Sequence, residues 1–184
     1  MKTRHAICLL CGLSLFASPV FADQKDPRLD NLFASLQDVP GPGAAFPLEQ
    51  QIWTIWLEIA DTDVAGILRD GMESMGRGKY DDALKAFDRV IEQAPDFAEG
   101  WNKRATLYYL MGDYKRSLED IARTLELEPR HFGALSGRGL VYVRLEDLSS
   151  ALRAFEDALK VHPQMPGPRA NAEVIRKVLK EREI

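Results

Sequence analysis

A chain of 184 residues with 46% hydrophobic and 28% charged residues lies in the ordinary globular range, long enough to bury a core without disulfides or metals. Its formal charge of −4 supplies no basic footprint for nucleic acid. Both cysteines, Cys8 and Cys11, fall in an N-terminal apolar segment, so the remaining chain has no disulfide framework, thiol nucleophile or Cys-ligated zinc.

That segment begins with the basic stretch Met1–His5, continues through an apolar run from Ala6 to Phe16, and ends in the small-residue stretch Ala17–Ala22. This is the layout of a secretory signal peptide cleaved after Ala22. A spanning helix needs about 20 apolar residues, and Ser14, Ser18 and Pro19 interrupt the run earlier. Cys11 sits inside the run rather than after it, which argues against a lipoprotein; two basic residues are too few for a mitochondrial presequence. The expectation is export, to the periplasm, without a stable membrane anchor after cleavage. The mature chain keeps 22 basic and 28 acidic residues.

Asp26-Pro27 reads as a helix start, and Leu29, Leu32, Phe33 and Leu36 form its apolar stripe. Val39–Gly43 should end it, with Phe46-Pro47 leading into a second helix that carries Ile52, Trp53, Trp56, Leu57 and Ile59. The tryptophans could mark an interface; the preferred reading packs them near Ile67 and Leu68 as part of an N-terminal cap over residues 23–63.

Residues 64–97, 98–131 and 132–165 then align without a gap. Gly71, Ala105 and Gly139 are equivalent, as are Gly78, Gly112 and Glu146 at the turns. Ala83, Ser117 and Ala151 match, then Phe87, Ile121 and Phe155; Pro95, Pro129 and Pro163 close the units. Small residues let the two helices of a unit approach, large ones fill the space between units, and the prolines break the helix. A 34-residue period with these residue types resembles the tetratricopeptide repeat family. The resemblance implies an all-α, right-handed solenoid of helix-turn-helix repeats.

Two positions depart from the pattern. Glu146 replaces a turn glycine, so the third hairpin is expected to differ in backbone geometry. Arg104 and Arg138 share a position that is often aliphatic in the family. Arg104 is expected to pair with Asp120; Arg138, facing Ala154 instead, should reach Asp120 or another carboxylate, because an unpaired buried charge is costly. Residues 166–184 form a last segment in which Arg169–Arg182 reads as a capping helix, with Val174, Ile175, Val178 and Leu179 laid over Phe155 and Leu159.

No catalytic constellation, cofactor motif or metal-ligand spacing emerges, and the expectation is a non-enzyme without cofactor. His131 and His162 should bond the last carbonyls of the helices they follow. The resemblance implies a concave, mostly apolar groove that takes a protein or peptide partner. Its lining would be Leu68, Met72 and Met75 from the first repeat. Asn102, Lys103, Thr106, Tyr109 and Leu110 would come from the second, and Ser136, Leu140, Val143 and Arg144 from the third. Some members of the family grip a peptide's terminal carboxylate with Lys and Asn. Here the corresponding places hold Leu68, Met72, Gly133 and Gly137, with Lys103 as a lone cation, so that clamp is not expected. The reading is an exported adaptor or scaffold. The alternatives are a self-assembling envelope component, a chaperone-like client binder, and a groove covered by the N-terminal helices.

Overall fold

The computed structural model describes residues 24–182, so the signal-peptide expectation lies outside the described residues. Among those residues there are nine α-helices and no strand. They are α1 (Arg28–Asp38), α2 (Pro42–Leu57), α3 (Thr62–Gly76), α4 (Tyr80–Gln93), α5 (Ala98–Met111), α6 (Tyr114–Leu127), α7 (Phe132–Arg144), α8 (Leu148–Val161) and α9 (Pro166–Arg182). The pairs α3–α4, α5–α6 and α7–α8 are the three repeats. Each repeat helix packs most on its hairpin partner, and successive hairpins meet through α4 on α5 and α6 on α7, which makes the chain a helical solenoid.

The spacing of small and large residues acts as the alignment implies. A Cβ on Gly71 would sit 2.7 Å from Phe87 Cε1, and one on Gly139 would sit 2.5 Å from Phe155 Cε1. Ser117 Oγ donates to the Ala105 carbonyl at 2.9 Å, satisfying a buried hydroxyl at the same crossing in the second repeat. Aspartates cap three of the repeat helices: Asp61 accepts from the amides of Asp63 and Val64, Asp113 from Arg116, and Asp147 from Ser150. Arg104 grips Asp120 with both Nε and Nη2 at 2.8 Å. Arg138 reaches Asp157 at 2.9 Å, because Asp120 is already occupied.

Four expectations are corrected. Glu146 adopts φ 61°, beside 73° for Gly78 and 80° for Gly112, so the third hairpin keeps the same left-handed turn and the non-glycine residue bears the steric cost. The second helix starts at Pro42, not near Pro47: proline suits the first helical position, and the amide that Pro47 lacks would have served the exposed Gly43 carbonyl. In α9, Val174 is 62% exposed, and the capping stripe is instead Ala172, Ile175 and Leu179, packed with Phe155, Leu152 and Tyr142.

The fourth concerns the N-terminal pair. Trp56 does not pack on Ile67 and Leu68 but stacks on His131, with centroids 4.2 Å apart and planes 8° apart. Phe33, Trp53, Trp56 and Phe132 share one cluster with Leu29, Leu36 and Ile52. Polar contacts tie this hairpin along the edge where the repeats join. Gln24 donates to the Asp96 carbonyl, Asp30 pairs with Arg130 at 2.7 Å, Gln37 donates to the Val161 carbonyl at 2.8 Å, and Gln164 donates back to the Val39 carbonyl at 3.1 Å. The cap therefore spans the array: Trp53 and Trp56 sit against Phe132 of the third repeat, while Leu57 and Ile59 still cover Leu68 and Met72 of the first. At 2% exposure, Trp56 offers no surface for stacking between chains.

Candidate functional site

The cleft of interest lies between α5 and α7 and encloses about 250 Å³. One side is Asn102, Thr106 and Tyr109 of α5; the other is Gly133, Ser136, Gly137 and Leu140 of α7. Ser117 and Ile121 of α6 form its floor, while Glu49 and Trp53 of α2, with Met165, close one end. The space exists because α7 turns glycine and serine towards α5. A Cβ on Gly133 would meet Trp53 Cη2 at 2.7 Å, so only glycine lets α2 come this close. A Cβ on Gly137 would meet only Ile121 Cδ1, at 3.9 Å, so this position has room for a methyl group.

Beside the cleft, α2 and the repeats meet at a buried polar junction. Glu99 is 1% exposed and takes Lys103 Nζ at 3.2 Å, Asn102 Nδ2 at 3.0 Å and His131 Nε2 at 3.1 Å. Burial alone would raise the Glu99 carboxyl. The Lys103 charge and the hydrogen bonds from His131 and Asn102 outweigh it and hold the carboxyl at about 2. His131 Nδ1 accepts the Ala134 amide at 3.0 Å, which leaves Nε2 as the ring's donor to Glu99 and makes the imidazole the N-cap of α7. This corrects the expectation that His131 bonds the carbonyls of the preceding helix. His162 is likewise buried; its Nδ1 faces the Gln164 amide at 3.4 Å, and Nε2 lies 3.6 Å from Glu49 Oε2.

The predicted lining divides. Asn102, Thr106, Tyr109, Ser136 and Leu140 come together in the cleft. Leu110 is 47% exposed and lies outside the cleft lining. Lys103 points instead to Glu99 and lies over the Trp53 ring, 5.2 Å from its centroid. Arg144 Nε donates to the Tyr114 hydroxyl at 2.8 Å. Leu68, Met72 and Met75 do not face the cleft: they pack into the first-repeat core with Leu57 and Ile59 of the incoming chain. Val143 packs against the α8–α9 core. Glu49, Trp53, Ser117, Ile121, Phe132 and Met165 are among the lining residues that were missed; the glycines at 133 and 137, four apart on α7, are the signal that could have revealed space there. Among the described residues no group of three or more His, Cys, Asp or Glu could hold a metal ion, and no helix is long and apolar enough to cross a membrane.

A cleft between the first helices of adjacent helix-turn-helix units, in an array this regular, defines a helical-repeat interaction protein. Residues 69–131 and 102–166 match the model of the tetratricopeptide repeat family. The chain belongs to that family, whose domains are protein-interaction modules. It is 34% identical to a TPR repeat-containing protein of Rhizobium etli over 136 residues, 74% of this chain and 67% of that one. It is 30% identical to rat (Rattus norvegicus) DnaJ homolog subfamily C member 3 over 125 residues, 66% of this chain, and spans only 25% of that relative. The fold resembles the first TPR of Spaghetti bound to the HSP90 peptide SRMEEVD, with a TM-score of 0.63 at 20% identity, over 66% of this chain and 97% of that one.

Proposed function

We propose that this protein is an exported adaptor that holds a peptide segment of another envelope protein in the α5–α7 cleft. The observation that carries the reading is the cleft itself, floored by Ile121 and flanked by Tyr109 and Leu140. An engineered cavity of about 150 Å³ holds benzene, so this space suffices for one large side chain as an anchor. The similarity to a solved repeat domain bound to a peptide supports the kind of partner. That peptide is acidic, whereas Lys103 here is occupied by Glu99, which favours a different partner chemistry. The signal-peptide layout of residues 1–22 supports export.

Two measurements test this. N-terminal sequencing of the protein from the periplasmic fraction should begin at Asp23; a retained Met1 in the cytoplasm defeats the export reading. A photo-crosslinker placed at Thr106 should capture a discrete envelope protein, lost in Tyr109→Ala/Leu140→Glu and kept in Arg153→Ala. Equal capture by all three proteins refutes the cleft as the binding site.

A further inference from the structure

Resting on that reading, we infer that the cleft recognises a basic residue beside the apolar anchor, with Glu49 of the N-terminal hairpin as the carboxylate that reads it. Glu49 is the one charged side chain in the cleft lining among the described residues, and its side chain is 32% exposed. Its surroundings leave the charge uncompensated. The neighbouring His162 is 1% exposed, and burial pushes its ring below the ordinary histidine range, against the opposing pull of Glu49. With Nδ1 turned to the Gln164 amide, the neutral ring carries its proton on Nε2, and that atom has no hydrogen-bond partner. At 3.6 Å from Glu49 Oε2 the neutral ring lies beside the carboxylate without neutralising it. The nearby cation, Lys103, is committed to Glu99 at 3.2 Å and to the Trp53 ring.

A carboxylate about one-third exposed, one helical turn from Trp53 and with Tyr109 across the cleft, suits an ammonium or guanidinium on a methylene stem. The stem lies along the indole and Met165, and the charge meets Glu49. An acidic flank would meet only repulsion at this end. The occupant is therefore a peptide of a second protein with a leucine or aromatic anchor and a flanking lysine or arginine.

The test uses the full chain and fluorescein-labelled, N-acetylated, C-amidated hexapeptides with a central Leu or Phe, flanked by Lys, Gln or Glu, titrated by fluorescence polarisation. The lysine-flanked peptides should bind about tenfold more tightly than the glutamate-flanked ones. In E49Q, near-isosteric with wild type, that ratio should fall below about twofold, and added salt should shrink it in wild type. Binding that Tyr109→Ala weakens but that shows no charge preference overturns this inference and leaves the cleft reading intact. No binding by any peptide overturns both. Dimerisation that blocks every peptide would assign the cleft to a second copy of the chain and overturn the inference.

Discussion

Replacing Glu99 with glutamine probes the junction that fastens the N-terminal hairpin to the array. Glutamine keeps a carbonyl acceptor for His131 but offers no charge to Lys103. In the folded protein the Glu99 carboxyl titrates at about 2, against an ordinary value of 4.5. At about 1.4 kcal/mol per tenfold change in proton affinity, the gap is worth about 3 kcal/mol. The sign follows from the direction: a carboxyl depressed in the folded state stabilises it above the unfolded value and loses that contribution as pH falls. The Glu99 contribution should be full, about 3 kcal/mol, at about pH 6, then about 2 at about pH 3.5 and about 1 at about pH 2.5. Urea melts of wild type and Glu99→Gln across that range give the difference directly. Asp26, Asp113 and Asp147 are also lowered, but they are present in both proteins and cancel. The stability gap should narrow by about 2 kcal/mol between about pH 6 and about pH 2.5. A gap that stays constant over that range refutes the assignment of Glu99 as a buried, charge-stabilised anion.

Three substitutions test the backbone reading of the glycine pattern. Glu146→Gly removes the steric cost of φ 61° and should stabilise the protein by about 1 kcal/mol, raising its thermal midpoint by about 3 °C in a differential scan. Gly139→Ala should destabilise by about 1–3 kcal/mol in urea, because Phe155 occupies the place of the new methyl group. Gly137→Ala, with its nearest side-chain neighbour at 3.9 Å, should instead gain up to about 1 kcal/mol of helix propensity.

The repeats were legible because their packing is local. Gly71 against Phe87, Ser117 against Ala105 and Arg104 against Asp120 are contacts within one hairpin, at sequence separations the 34-residue period repeats. Glu146 shows the limit of reading residue types: the neighbouring packing imposes the left-handed turn despite a side chain that disfavours it. The N-terminal hairpin was legible as two amphipathic helices but not in its placement. An apolar stripe states that a surface will be covered and does not say by what. Trp56 finds its partner at His131, and Gln37 at Val161, across separations with no local signature.

The same distinction explains the site. Tyr109 and Leu140 could be read from the array, since first helices face one another across it. Leu68 and Met72 could not be assigned in this way, because Leu57 and Ile59 of the entering chain fill the first repeat's share of that face. What remains is a cleft whose repeat-derived walls are ordinary for the fold and whose end wall is specific to this chain. Gly133 admits Trp53 by having no side chain, and α2 thereby carries Glu49 to the rim. A bulkier residue at 133 would push the hairpin outward and withdraw the acidic group, leaving the apolar walls in place. On the proposed reading, selectivity lies in the contact between the hairpin and α7, while the capacity to take a peptide at all lies in the spacing of α5 and α7.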